Sequence, residues 1–261
     1  MHMRKFTPSL LFDHFSTSGQ GGFPEHLHLG QETIKLFVKG AFAHENFTGS
    51  RGVLREGALQ FMTAGRGTVH SEMPVIHKDG SKNVGLQLWI AQDGKLKVRV
   101  IYGETYGVKL DVELAYTPLG LHFRQQVPRD FNFFLYVLEG NNLVLQKKNK
   151  ASQSENVFFH ADGDFSATEM RELEFVLIGG QILDQKVVQH RPFLATSAER
   201  IQQVFYDYRL AQNGFERLRT WKTSISGGVT DDINKLCGSL EAREKERQEF
   251  LARKGSVADE L

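Results

Sequence analysis

The sequence predicts an all-β protein built as two β units, followed by a C-terminal helix. Three observations predict it. From about Thr7 to Gln189 the chain reads as short alternating segments punctuated by Gly, Asn and Asp, the pattern of a sandwich or barrel. An apolar segment in the first hundred residues is echoed in the second hundred. After Ser197 the apolar period changes from two to one near 3.6.

In chain order, Thr33–Lys39 alternates, with Ile34, Leu36 and Val38 on one face and Lys35 and Lys39 on the other. That assignment puts Lys35 on the polar side and Val38 toward a core. Val84–Ile90 follows the same rule, with Leu86, Leu88 and Ile90 opposed to Gln87. The echo pairs Thr33–Gly40 with Phe133–Gly140, each an apolar strand ending at a Gly turn, and Gly57–Gln60 with Gly163–Ser166. Two similar units joined near Leu114–Gly120 account for it. Beyond them, Ile201, Val204, Phe205, Tyr208 and Leu210 recur at helical spacing, and Thr196 or Ser197 ahead of Glu199 is a helix start. Gly227-Gly228 breaks that segment. Asp231–Leu240 is a second helix candidate, and Glu241–Lys254 is a mixed-charge run that reads as a solvated helix or tail.

Composition narrows the function. With 32 Lys and Arg against 31 Asp and Glu, the 261-residue chain has a formal charge of +1, which argues against direct nucleic-acid binding. Neither a signal-type apolar region nor a run approaching about 18 apolar residues is present. The terminal Asp259-Glu260-Leu261 is read as a coincidental likeness to a retention signal. One Cys, Cys237, excludes an intrachain disulfide and a thiolate zinc cluster and fits a reducing compartment. The expected location is cytoplasmic, nuclear, or both. A transition metal, if bound, must take its ligands from the ten His and the carboxylates.

One constellation suits that chemistry. His26 and His28 are two residues apart, so on a strand they share a face. His70 and Glu72 form a second such pair. Two strand-borne pairs meeting across a barrel bring three imidazoles and one carboxylate to a point. That donor set suits Fe, Mn, Ni, Cu or Zn and leaves open positions. The even numbering of His26, His28, Glu32, Ile34, Leu36 and Val38 lets the ligand face run on into the apolar face, unless Gly30 interrupts the strand.

Phe61-Met62-Thr63-Ala64-Gly65-Arg66-Gly67-Thr68-Val69-His70-Ser71-Glu72-Met73-Pro74 closely resembles the signature of the pirin family, in the cupin superfamily. Phe23–His28 with Gly30 and Glu32-Thr33 resembles that family's first metal segment. Gly85–Trp89, Gln189–Phe193, Asn213–Arg217 and Thr220–Lys222 resemble later ones. The likeness runs from about Pro8 to Lys222. It implies two antiparallel cupin-type β-barrels, a bicupin, with a C-terminal helix. Residues 1–115 are expected as the metal-binding barrel and 116–196 as a metal-free one. Residues 197–225 are expected as a helix packing on the barrels, and 226–261 as a charged tail, helical or disordered. The resemblance implies one iron, Fe(II) or Fe(III), per chain, with other divalent transition metals possible. His26, His28, His70 and Glu72 are its implied ligands, with Glu32, the carboxylate many cupins use, beside them as an outer group or alternative ligand. His122, His160 and His190 read as structural or surface residues.

Two functions follow from the resemblance. One is a quercetin 2,3-dioxygenase-like enzyme taking O₂ and a flavonol-like molecule, with Glu72 as ligand and base and Glu32 as alternative base. The other is a redox-sensitive co-regulator that binds a transcription-factor protein. A monomer is expected, with neither membrane nor direct nucleic acid as partner. The chain departs from the family pattern at Leu29, usually Arg, and Gln31, usually aromatic, both beside the ligands and both expected to alter the pocket. Arg55-Glu56-Gly57-Ala58 replaces a usual Pro-Gly-Asp turn.

Overall fold

The alternating segments are strands in the computed structural model, which describes residues 6–18, 21–91, 113–117, 120–125, 131–141, 143–145, 149–159, 165–168, 174–184, 187–190 and 193–234. The first eight are β1 (Ser9–Thr17), β2 (Phe23–His28), β3 (Gln31–Lys39), β4 (Ala41–Asn46), β5 (Arg51–Arg55), β6 (Leu59–Thr63), β7 (Thr68–Pro74) and β8 (Asn83–Ala91). Then come β9 (Glu113–Thr117), β10 (Gly120–Gln125), β11 (Phe131–Glu139), β12 (Leu143–Leu145), β13 (Asn149–Ala151), β14 (Asn156–Phe159), β15 (Phe165–Thr168) and β16 (Glu174–Gln181). The hairpin β17 (Val188–His190) and β18 (Phe193–Ala195) leads into α1 (Ala198–Leu210), a 3₁₀ turn at Glu216–Arg219, and α2 (Asp231–Asn234). The chain divides into two units. Leu11–Trp89 joins Lys186–Leu261 in the first, and His2–Leu10 joins Ile90–Gln185 in the second. The remainder of the second helix candidate, the mixed-charge run and Cys237 lie outside the described residues.

The first unit is built on two four-stranded sheets, ordered β1-β8-β3-β6 and β2-β7-β4-β5; the second is antiparallel throughout, and β3 pairs antiparallel with β6 in the first. Side chains cross from one sheet to the other. Phe37 of β3 meets Phe42 of β4 at 5.4 Å between ring centroids, and Phe15 of β1 meets Phe42 at 5.4 Å. His28 of β2 meets Trp89 of β8 at 5.3 Å. The even face of β2, β4 and β7 is therefore the interior one. Their odd face is buried too, under the C-terminal segment. Leu27 and Val69 pack with Phe193, Ile201, Val204 and Phe215. Ala41, Ala43 and Val53 pack on Ile225, which is fully buried. Burial on both faces explains why β7 shows nearly continuous burial rather than alternation.

Strand β3 corrects the alternation read from its sequence. Its most buried positions are the odd ones, Gln31, Thr33, Lys35 and Phe37, joined by Ile34, while Val38 is exposed. The reason is Gly30, which sits at φ +65° between β2 and β3. Breaking the strand there shifts the interior face from even numbers in β2 to odd numbers in β3.

The echo is half right. β3 and β11 are both nine residues long, and each ends at a glycine with positive φ, Gly40 at 83° and Gly140 at 93°. β3 lies between β8 and β6, as β11 lies between β16 and β14. The counterpart of β6 is thus β14. Gly163–Ser166 leads instead into β15, which lies between β12 and β10 as β7 lies between β4 and β2.

Helix α1 starts where the sequence places a cap. Ser197 Oγ accepts from the Arg200 N–H at 3.2 Å, and Ala211 closes the helix at φ +48°.

Candidate metal centre

β2 and β7 pair antiparallel with His26 opposite His70 and His28 opposite Thr68. That register sets the two histidines of β2 on the same interior face as His70. The centroids of the three rings lie 4.4–4.9 Å apart. Their ligand atoms all fall within 4.8 Å of one another. His26 Nδ1 lies 2.7 Å from the Pro24 carbonyl, so it carries the proton and leaves a lone pair on Nε2. That Nε2 is 2.9 Å from His70 Nε2. Two donors at right angles on one ion, each about 2.1 Å from it, stand about 3 Å apart. The spacing fits a shared metal.

The charge states fit as well. Burial lowers His28 to about 2, helped by the neighbouring His70 and His26. Burial brings His70 down to about 4 against the opposing pull of Glu72. His26 is lowered by burial too. All three imidazoles are neutral at physiological pH, the form a metal needs.

Glu72 belongs to the same buried cluster. Burial alone would raise its pKa, but the Lys35 ammonium beside it, with His70 and the Lys35 hydrogen bond, brings it to about 2. Lys35 Nζ donates to Glu72 Oε2, and both side chains are about 4% exposed. The same Oε2 lies 3.8 Å from His70 Nε2. Glu32 is placed elsewhere. It follows Gln31 on β3 and so faces the opposite side, where its Oε1 accepts from Thr63 Oγ1 at 3.1 Å.

Three neighbours complete the cluster, and of these the sequence singles out Gln31 alone. Lys35 falls on the polar face of a simple alternation. Gln31, 1% exposed, brings its amide nitrogen to 2.5 Å from His28 Nδ1. His44 stands opposite Glu72 in the β4–β7 register and is lowered mainly by burial, with Glu72 opposing. Counting parity afresh after Gly30 would find the first two. Leu29, expected to affect the pocket, instead packs with Phe193 against the C-terminal segment. Of the two departures beside the ligands, Gln31 reaches the site.

In the second unit, the pair in the place of β2–β7 is β10–β15, whose register sets His122 opposite Thr168. His190 is exposed on β17, and His160 lies outside the described residues.

Two family profiles match the chain, "Pirin" over residues 1–90 and "Pirin C-terminal cupin domain" over residues 111–214. The chain belongs to the pirin family. A pirin-like protein of Solanum lycopersicum is 34% identical over 253 residues, covering 84% of this chain and 86% of the relative. Among solved structures, a quercetin 2,3-dioxygenase of Acinetobacter baumannii aligns with TM-score 0.63 at 23% identity, over 81% of this chain and 88% of that one. A bacterial pirin of Escherichia coli in complex with nickel(II) aligns with TM-score 0.55 at 17% identity, over 68% and 83%. The all-β pirin fold of two cupin domains with a C-terminal helix is therefore established, and the three histidines form a possible metal site within it. Among the described residues of this pirin, no helix is long and apolar enough to cross a membrane.

Proposed function

We propose that this pirin is a mononuclear iron protein with quercetin 2,3-dioxygenase-type activity, acting on O₂ and a flavonol-like molecule. The observation that carries the reading is the convergence of His26, His28 and His70 as neutral imidazoles within 4.8 Å. Iron held there supplies Lewis acidity and one-electron chemistry toward O₂. The chain's own groups do the rest. The Pro24 carbonyl orients His26 by accepting from its Nδ1, and the Gln31 amide stands against the His28 ring. Trp89 stands edge-on to His28 and Phe23 lies 6.0 Å from His26, so flat aromatic surfaces flank the histidines. The indole Nε1 is buried with no hydrogen-bond partner among the described residues, a donor available to a substrate oxygen. Glu72, whose Oε2 lies 3.8 Å from His70 Nε2, is the carboxylate assigned to accept the flavonol hydroxyl proton; its low pKa makes it a weak base, so that hydroxyl must be acidified by the metal. Glu32, bonded to Thr63 on the other face of β3, is the weaker candidate for that role.

The test is oxygen uptake with quercetin by iron-loaded protein. Uptake is expected together with loss of flavonol absorbance, and His70→Ala should abolish both. Turnover no faster than that of free iron overturns the assignment. In that case the co-regulator reading, a protein partner that senses the metal's oxidation state, becomes the one to pursue. A monomer with one iron, working in the cytoplasm or nucleus, completes the proposal.

A further inference from the structure

Resting on that three-histidine reading, the geometry points to Lys35 as the residue that decides whether Glu72 can be a metal ligand. We propose that Lys35 holds the Glu72 carboxylate out of the coordination sphere, so that the protein ligands are His26, His28 and His70 alone.

One oxygen faces two ways. Glu72 Oε2 is the atom 3.8 Å from His70 Nε2, and it is also the atom that receives the Lys35 ammonium. The carboxylate oxygen facing the histidines is therefore engaged by a cation built into the fold. Lys35 cannot easily be turned away. It is 3% exposed, anchored on the interior face of β3, and Phe23 lies across it with the ring centroid 5.4 Å from Nζ. A buried ammonium that loses its carboxylate is left uncompensated in a low-dielectric interior, which strongly disfavours the exchange. A metal drawing Glu72 inward must strand Lys35, share Oε2 with it, or turn Oε1 toward the histidines against the pull of Lys35 on Oε2. With Lys35 and Glu72 paired, the histidines keep a neutral neighbour, and more positions on the metal stay open to exchangeable ligands.

Gln31 and Lys35 both come from the parity shift at Gly30, so one turn sets two groups against the ligand cluster. Gln31 acts on His28, and Lys35 acts on Glu72.

The test compares cobalt(II) affinity and its visible absorption spectrum in the full chain for wild type, Lys35→Met and the charge-neutral double variant Lys35→Met/Glu72→Gln. Changes to groups behind a ligand commonly move metal affinity about 10- to 100-fold. Lys35→Met frees Glu72 and should tighten binding about 10-fold or more, with a changed spectrum. The double variant removes a neutral pair and should stay within about threefold of wild type, with the wild-type spectrum. Binding by the double variant about 10-fold weaker than wild type overturns the proposal, because Glu72 would then be a ligand in the presence of Lys35. So does a Lys35→Met protein that binds no better than wild type. If Lys35→Met does not fold, as judged by circular dichroism, Lys35→Gln replaces it, with the same outcomes required. His28→Ala separates the centre from the role of Lys35. Cobalt binding indifferent to His28→Ala overturns the three-histidine centre itself, and this proposal with it. Loss of binding in His28→Ala with a weak double variant overturns the role of Lys35 alone.

Discussion

Replacing Gly30 by Ala tests the turn on which the centre depends. A Cβ built at Gly30 would stand 2.1 Å from the Leu194 carbonyl oxygen and 3.0 Å from the Leu194 carbonyl carbon. The oxygen contact is roughly 1 Å or more inside van der Waals separation. Neither partner yields easily. Leu194 N–H donates to Leu29 O at 2.9 Å, Gly30 N–H donates to Gly65 O at 3.0 Å, and Leu29, Phe193 and Leu194 are all buried. The positive φ alone costs an L-residue about 1–2 kcal/mol. Separating the two backbones breaks the Leu194–Leu29 hydrogen bond, about 1 kcal/mol, and loosens the packing of Leu29 on Phe193, about 1–2 kcal/mol. The expected loss is about 4 kcal/mol. Gly57→Ala is the control. Gly57 sits at φ +77° with nothing within 4 Å of an added methyl, so it should lose only the conformational part. Urea denaturation of the metal-free protein measures both. If the stability of Gly30→Ala falls within about 1 kcal/mol of that of Gly57→Ala, the Leu194 contact carries nothing and the expectation is wrong. Metal affinity should fall in Gly30→Ala and not in Gly57→Ala, because Gly30 is two residues from His28.

The metal-free protein should lose stability on acidification. His28 and His70 are held at about 2 and about 4, below the usual 6.5, so the unfolded chain binds their protons first. Stability therefore falls as the pH drops below about 6.5, by about 2 kcal/mol for each of them at pH 5, and His70's share continues to fall until about pH 4. A urea midpoint unchanged between pH 7 and pH 5 would sink this. Asn83→Ala should cost about 3 kcal/mol, because the buried amide accepts from Ala41 N–H at 2.8 Å, donates to Val75 O at 2.9 Å and holds His77 at 2.8 Å. Thermal melting checks it. Glu45→Gln should cost about 2 kcal/mol by weakening the grip on Ser224 N–H, at 2.7 Å, and on the Thr223 and Ser224 hydroxyls. Increased proteolysis near residues 223–228 should accompany it. Ser197→Ala should cost about 1 kcal/mol through the lost cap of α1, read as a lower midpoint with unchanged metal affinity.

Much of the centre was legible because its parts are local. Two His-x-His or His-x-Glu pairs on strands need only period-two geometry to share faces, and the register of β2 with β7 does the rest. The strand β3 was legible as an element from its alternation, and Ser197 as a cap from its position ahead of Glu199. Lys35 was not, because a lysine opposite apolar residues is ordinarily solvent-facing, and nothing local says that a carboxylate 37 residues away compensates its burial. His44 likewise acquires its neighbours only through the β4–β7 pairing. The second half of the echo failed for a related reason. Short strands beginning after a glycine look alike in sequence, whereas sheet order alone separates β14 from β15.

The two units differ in how their pieces are distributed along the chain, and that has a consequence for synthesis. The second unit is drawn mainly from Ile90–Gln185, while the first needs Lys186 onward to cover its outer sheet face. A growing chain therefore emits all the histidines of the centre early and the segment that covers their strands last. Until Phe193, Ile201, Val204, Phe215 and Ile225 leave the ribosome, Leu27, Val69, Ala43 and Val53 lack the cover those residues provide. The ligands of the centre are thus translated well before the segment that covers their strands, and a nascent chain stopped before Lys186 should present that apolar face to chaperones.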